Sequence, residues 1–342
     1  MNTVAYCNPL VPVEWLGAHG LQPRWLRLPR RGPAGSIADP PAAAAPSVRG
    51  NLSVDGRRGV CPLAAAAVDA ISAAAVDSAV VLTTCCDQMR YAACWLEQRP
   101  GVPVFTLNVP STWQTPASRG LYLAELQRLG RFLVSLGGRA PANEELARVI
   151  RRFERARAAL LAARLGLSAR AFAAGLLSVR EDANFAAPQE AEPDAGLPLA
   201  LVGGPVPEAD YVLFDWIRHA GGRIVLDATE WGERTLPRAV DVSRMQREPL
   251  AALADAYFGS IPDVFRRPNT ALYEYLGREL AARKVQGLIL RRFLWCDLWH
   301  AEVAEFRAWS PVPVLDLDAA DSEASSAGRT RGRIEAFLEM LR

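Results

Sequence analysis

The stretch Ser78-Ala79-Val80-Val81-Leu82-Thr83-Thr84-Cys85-Cys86-Asp87 is an apolar run that ends in a Cys-Asp pair. The arrangement recurs far along the chain as Val285-Gln286-Gly287-Leu288-Ile289-Leu290-Arg291-Arg292-Phe293-Leu294-Trp295-Cys296-Asp297. A short apolar run of this kind predicts a buried strand. Ligands of open α/β sheets bind at the carboxyl ends of such strands. The repetition therefore predicts two similar domains that face each other across a shared site.

The length of the chain, 342 residues, exceeds one ordinary domain and fits two α/β domains. Strands alternate with helices in both halves, which implies parallel strand pairing through right-handed crossovers. We predict two Rossmann-like (flavodoxin-like) parallel-sheet domains, over residues 1–140 and 197–342. A helical segment and linker, residues 141–196, is expected between them.

The predicted elements follow from apolar periodicity and from turn-forming residues. The predicted strands are Arg24–Leu28, Ser78–Thr83, Val102–Leu107, Leu199–Val202, Arg223–Asp227, Val285–Leu290 and Val312–Leu317. The predicted helices are Pro12–His19, Pro62–Ala75, Asp87–Gln98, Glu208–Ala220, Leu250–Phe258, Thr270–Arg283, Asp297–Ala308 and Arg329–Leu341. Residues from Pro116 to Leu177 are nearly all helical, with Asn143 as an N-cap. The composition of Pro29–Gly50 predicts a loop, and that of Gln189–Gly196 a linker.

The bulk composition excludes several classes of protein. The 39 basic and 37 acidic residues nearly balance, which argues against nucleic-acid and anionic-membrane partners. The chain shows no signal-peptide pattern and no apolar run of the length that a membrane helix needs. We therefore expect a cytoplasmic protein. Its six cysteines are then thiols or metal ligands before they are disulfides.

Three cysteines, Cys61, Cys86 and Cys296, each stand at the start of a predicted helix. Peptide N–H groups and the helix dipole favour a thiolate there. Thiolate-rich sites select soft metals, above all iron–sulfur clusters and zinc. The alternative is that each is a small buried hydrophobic residue, as free cysteines often are. Their occurrence at strand ends in two matching domains favours a shared metal centre.

These motifs resemble those of the 2-hydroxyacyl-CoA dehydratase and benzoyl-CoA reductase family, which includes the double-cubane cluster proteins. The resemblance rests first on Cys61 before an alanine-rich helix, on Thr84-Cys85-Cys86-Asp87-Gln88-Met89-Arg90 and on Phe293-Leu294-Trp295-Cys296-Asp297. Further similar segments span nearly the whole chain: Val11–Gly20, Ala220–Asp227, Gly232-Glu233-Arg234, Arg329-Thr330-Arg331 and Glu335–Leu341.

The resemblance implies that Cys61, Cys86 and Cys296 hold a [4Fe–4S] or double-cubane iron–sulfur cluster. It also implies a related partner subunit, in a homodimer or heterodimer, and an ATP-dependent iron–sulfur activator that injects single electrons. The substrate class is acyl-CoA thioesters, and the chemistry proceeds through a ketyl radical. Two alternatives remain open: a non-catalytic electron-transfer or scaffold subunit, and a double-cubane-type reductase of small molecules. A metal-free binding module, with cysteines used only in packing, is a third.

The chain departs from the family in being short and in having Ala228-Thr229-Glu230-Trp231 where many members have a cysteine-containing turn. The role of Cys7, in a predicted loop that faces the site, stays open. Cys94 is predicted to be a buried packing thiol, and Cys85 to point into the packing layer of the sheet.

Other polar residues admit plainer interpretations. Asp87 and Asp297 are predicted to be helix N-caps, with proton delivery as the alternative. His300 shares a helix face with Cys296, but a zinc site needs four close ligands and no second Cys/His pair exists. His19 and His219 are expected to be ordinary helix-end residues. Gly203-Gly204-Pro205 could form a phosphate-binding turn, but the chain has no full dinucleotide-binding fingerprint there.

Overall fold

The computed structural model describes residues 3–28, 60–73, 78–98, 101–186, 195–319 and 324–342. The predicted loop Pro29–Gly50 and residues 189–194 of the predicted linker lie outside these ranges, so neither prediction is tested. Within the described ranges the predicted α/β class is confirmed, because the strands form two four-stranded parallel sheets. Over the same residues, no helix combines the length and the apolar character that crossing a membrane requires.

The two sheets have the same strand order. The strands of the first sheet are β1 (Thr3–Tyr6), β2 (Gln22–Trp25), β3 (Ser78–Thr83) and β4 (Val104–Leu107), in the order β2-β1-β3-β4. Those of the second sheet are β5 (Leu197–Gly203), β6 (Gly222–Thr229), β7 (Gly287–Phe293) and β8 (Val314–Ala319), in the order β6-β5-β7-β8. Each sheet therefore has a topological switch point, between β1 and β3 and between β5 and β7, where ligands of such sheets bind.

Helices follow the strands or connect the two sheets. Their bounds are α1 (Val13–Ala18), α2 (Pro62–Ala73), α3 (Asp87–Glu97), α4 (Pro116–Ser135), α5 (Asn143–Ala162), α6 (Ala169–Asp182), α7 (Val212–His219), α8 (Val242–Arg247), α9 (Pro249–Phe258), α10 (Thr270–Ala282), α11 (Asp297–Trp309) and α12 (Ala324–Leu341). Asn143 is the first residue of α5 and not its N-cap, which is Ala142 without a side-chain cap. The predicted cap was thus one residue off.

Strand β1 was not predicted, although it is central to the first sheet. It has only four residues and lacks the long apolar run that marked the other strands. Its extended conformation is fixed by parallel pairing with β2 on one side and β3 on the other. Alternate side chains enter different cores, with Tyr6 on one face and Ala5 on the other.

Strand β7 extends past Leu290, where the apolar pattern predicted its end, and includes two buried arginines. Arg291 pairs with Asp210 at 2.5 Å, and Arg292 pairs with Asp316 at 3.0 Å. Buried charges are tolerated when they are paired and hydrogen-bonded. The acidic partners therefore let this strand run on to Phe293, which brings its carboxyl end closer to Cys296.

Candidate functional site

The structure gathers the three predicted thiols at the carboxyl ends of the two sheets. Cys61 precedes α2, while Cys86 and Cys296 are the residues directly before α3 and α11. Cys61 is buried in one apolar cluster that also contains Phe293, and Cys86 and Cys296 pack against that same cluster. This apolar cluster contains residues from both sheets, so the switch points of the two sheets face one shared site.

Each thiol meets the free N–H groups of a helix start. The Met89 N–H donates to Cys86 Sγ at 3.4 Å, so the cysteine itself caps α3. Asp87 and Asp297 are the first helical residues and not N-caps, which corrects the prediction by one position. The aspartates instead add negative charge to the first turn, where the helix dipole stabilises it.

Burial disfavours the charged form of these thiols. It raises the pKa of Cys61 and Cys86, and raises the pKa of Cys296 to about 12. The N–H groups of Leu63 and Ala64 oppose the shift at Cys61. Without a cation the three groups are therefore neutral thiols at neutral pH. A bound metal would displace their protons, because thiolates are the ligands.

Cys85 and Cys86 face different parts of the interior. Adjacent side chains in an extended segment point to opposite sides, and the two cysteines follow this rule. Cys86 packs against the cluster that contains Cys61, whereas Cys85 packs against the core that contains Tyr122. Burial raises the pKa of the Cys85 thiol, and a hydrogen bond with Thr83 opposes the shift.

Replacing Cys85 with alanine is expected to leave the iron content unchanged. The variant removes a sulfur from the apolar core and should lower the free energy of unfolding by about 1 kcal/mol. Iron and sulfide quantification after anaerobic purification, with urea unfolding of the same preparation, measures both effects. If Cys85→Ala loses its iron and Cys86→Ala keeps it, the ligand register is wrong by one residue.

The prediction for Cys94 was wrong: its thiol is exposed. The buried face of α3 consists of Met89, Ala92, Ala93 and Leu96, and Cys94 lies off that face. Cys7 is buried at the end of β1 and belongs to the same apolar cluster as Cys61. Burial raises its thiol pKa to about 12.

His300 and the glycine turn have structural roles. Arg292 Nη1 lies 3.0 Å from His300 Nδ1, and since arginine can only donate, that nitrogen accepts. The Gly204 N–H donates to the Arg291 carbonyl oxygen at 2.8 Å, and the next α-helix begins only at Val212. The glycine turn therefore lacks the adjoining helix N-terminus of a phosphate-binding loop.

The turn after β6 adds two residues, Glu230 and Trp231, to which the sequence analysis assigned no role. Trp231 Nε1 donates to the Cys7 carbonyl oxygen at 3.0 Å, and Trp231 packs against the cysteine cluster. Glu230, which accepts a long hydrogen bond from Asn8 Nδ2 at 3.4 Å, has its pKa raised to about 8 by burial and by Asp263. Its negative charge would also raise the pKa of Cys61 and Cys86. The position of Glu230 directly after the end of β6 was the signal from which the sequence could have predicted it as a site residue.

The donor set suits an iron–sulfur cluster better than a single ion. No three histidine, cysteine, aspartate or glutamate side chains in the described part of the chain form a site for one metal ion. In a cluster each thiolate binds a different iron atom, so the ligands surround a larger volume. Three thiols in one apolar cluster, each at a helix start, match that requirement in donor type and surroundings.

Comparisons with known proteins identify a family. A family model described as "2-hydroxyglutaryl-CoA dehydratase, D-component" matches residues 11–341. No curated protein matches the chain significantly. Among solved structures, that of the SBP FpvC from Pseudomonas aeruginosa in complex with Mn²⁺ shares 15% identity, covering 99% of this chain and 96% of that chain. Its TM-score is 0.25, so this likeness supports no argument.

Proposed function

The chain belongs to the family of 2-hydroxyglutaryl-CoA dehydratase D-components, and we propose that it is the iron–sulfur subunit of a cytoplasmic, ATP-dependent dehydratase or reductase of acyl-CoA thioesters. The observation that supports this function is the shared apolar cluster of Cys61, Cys86 and Cys296 at the switch points of two sheets with identical strand order. We assign these three residues as the ligands of a [4Fe–4S] or double-cubane cluster.

When bound, the cluster would supply single electrons of low potential, and these would reduce the thioester carbonyl to a ketyl radical. The chain's own residues hold the three thiolates and keep water away from them. Phe293 and Trp231 wall the site, and the N–H groups at the helix starts stabilise negative charge on the sulfurs. Burial and such hydrogen bonds are the means by which a protein sets a cluster's potential.

Glu230 is a carboxyl beside this site that can hold a proton near neutral pH, because burial raises its pKa to about 8. Because its pKa in the folded protein is raised above the ordinary glutamate value, the folded state binds a proton that the unfolded chain has lost. This protonated carboxyl contributes to the free energy of unfolding. The contribution is fully present below about pH 4.5 and is lost as the pH rises to about 8.

Replacing Glu230 with glutamine should flatten that pH dependence. We expect the metal-free wild type to lose stability between about pH 4.5 and 8 relative to Glu230→Gln, because in this range the unfolded wild-type chain releases a proton that its folded state retains. Urea unfolding at several pH values measures the difference. Glu97→Gln, on an exposed position of α3, is the matched control. Identical profiles for wild type and Glu230→Gln would contradict the assignment.

The proposal includes two partners: a related subunit, in a homodimer or heterodimer, and an ATP-dependent iron–sulfur activator. Membership in a D-component family supports a companion component. Leu294 and Trp295, which precede Cys296, are 42% and 53% exposed, and Trp295 has a positive φ of 67°. Exposed apolar side chains and backbone strain beside a site are typical of functional contacts.

The alternative is an electron-transfer subunit that does not turn over substrate. Turnover by this subunit would need a channel to the three cysteines wide enough for a pantetheine arm, whereas an electron-transfer subunit would need none.

The function is tested with protein purified anaerobically and untagged, together with any companion subunit that copurifies. Iron and sulfide quantification and electron paramagnetic resonance of the reduced state report the cluster. An assay with activator, ATP and a 2-hydroxyacyl-CoA reports dehydration. Colourless, iron-free protein after anaerobic reconstitution would rule out the cluster. A reducible cluster without turnover by this subunit alone, but with turnover by the complex, would support the electron-transfer alternative.

A further inference from the structure

Glu230, in the turn after β6, has few partners for its carboxyl group. Among the described residues it accepts one long hydrogen bond, from Asn8 Nδ2 at 3.4 Å, and forms no ion pair. The two arginines whose charge acts on it are engaged elsewhere: Arg234 pairs with Asp263 at 2.9 Å, and Arg180 donates to a backbone carbonyl oxygen at 2.8 Å. A buried carboxylate without a counter-ion is costly. A cation bound beside Glu230 would therefore stabilise its ionised form.

The turn that carries Glu230 lies against the turn that follows β1, in the other sheet. Trp231 Nε1 donates to the Cys7 carbonyl oxygen at 3.0 Å, and Asn8 Nδ2 donates to Glu230, so the carboxyl ends of β6 and β1 meet here. The Leu10 N–H donates to Asn8 Oδ1 at 2.9 Å, which orients the amide so that its Nδ2 faces Glu230. Glu230 is therefore fixed at the boundary between the two sheets, at the ends where the three assigned thiols lie.

The carboxyl group of Glu230 shares its surroundings with all three assigned thiols. Its neighbour Trp231 packs against the apolar cluster that contains Cys61, as do Cys86 and Cys296. Burial is the main cause of the raised pKa of these thiols, and the negative charge of Glu230 adds to it at each of them. Such a charge effect falls off with distance. One carboxylate and three thiols, contributed by both sheets, therefore surround the same part of the interior.

We propose that Glu230 is the protein ligand of the cluster iron that the three cysteines leave unbound. The inference rests on the proposed function, because it presupposes that these cysteines hold a cluster. A [4Fe–4S] cluster usually has a protein ligand on each iron, so three thiolates leave one iron without a ligand from this chain. A carboxylate oxygen is an anionic donor that binds iron in other proteins. Binding forms the iron–oxygen bond and releases the carboxyl proton to solvent.

The test compares the wild type with Glu230→Gln, which replaces the carboxylate by a neutral amide of the same shape. Both proteins are reconstituted anaerobically and then exposed to an iron chelator. The variant should lose one iron of its cluster at least about tenfold faster than the wild type, as expected for a lost ligand. Its oxidised form should then show the paramagnetic signal of a three-iron cluster. Glu97→Gln, at an exposed position of α3, should retain its iron as the wild type does.

Neither measurement requires turnover, and the outcomes separate the ligand assignment from the proposed function. The metal-free Glu230→Gln protein should be no less stable to urea than the wild type, because the amide keeps the packing and removes the cost of a buried carboxylate. Iron loss accompanied by a lower free energy of unfolding would overturn the assignment. A wild-type cluster that is indifferent to Glu230→Gln would refute the assignment alone. A wild type that takes up no cluster would refute the proposed function as well.

Discussion

Replacing any one of Cys61, Cys86 and Cys296 with alanine is expected to remove most of the iron and acid-labile sulfide. Alanine offers no donor atom, so each variant leaves the cluster with one protein thiolate fewer. Loss even of a group that only hydrogen-bonds to a metal ligand lowers metal affinity by about 10–100-fold. Loss of a direct ligand should cost at least as much. The measurement is iron and sulfide per chain after anaerobic reconstitution, with the paramagnetic signal of the reduced protein.

The control is Cys94→Ala, which removes an exposed thiol outside the cysteine cluster and should retain wild-type iron. The circular dichroism of all four metal-free variants should match that of the wild type, because the loss of one sulfur changes packing locally and leaves the helices and sheets in place. Full iron content in the three site variants would show that the thiols are packing residues. Selective loss in only one or two would redefine the ligand set.

The features predicted well from sequence are those that a local pattern determines. The family resemblance drawn from the Cys-Asp motifs is confirmed by the family model, which spans residues 11–341. The α/β class is confirmed, and the reason is local: an apolar run such as Ala79–Leu82 is typical of a strand that a parallel sheet with helices on both faces buries on both sides.

The features that were missed depend on contacts between distant parts of the chain. Strand β1 exists because two neighbours pair with it, and Arg291 extends β7 because Asp210, far away in sequence, neutralises it. Glu230 gains importance only because folding places it near Asn8. The exposure of Cys94 could have been predicted, since the apolar residues Met89, Ala92, Ala93 and Leu96 already mark the buried face of α3.

Replacing Glu14 with leucine is expected to produce the largest loss of stability. Glu14 is fully buried in α1, where its carboxylate accepts from Arg157 Nη1 at 2.5 Å and from the Tyr257 hydroxyl at 2.7 Å. These partners lie on α5 and α9, so one carboxylate joins three helices. Arg157 Nη2 has no hydrogen-bond partner, so the buried guanidinium relies on Glu14 to compensate its charge. An uncompensated buried charge costs about 3–5 kcal/mol, measurable by urea unfolding.

Two further variants show whether this loss comes from the stranded charge. In Glu14→Leu/Arg157→Met both charges are replaced by apolar side chains, and most of the lost stability should return, because apolar replacements of buried ion pairs are often neutral. Glu145→Ala removes a partly exposed partner of Arg139 and should cost at most about 1 kcal/mol. A double variant no more stable than the single would contradict the explanation. Helix α1 follows β1 and Cys7 in the chain, so loss of this contact should also disturb the packing around the three cysteines. The iron content should therefore fall in Glu14→Leu and recover in the double variant.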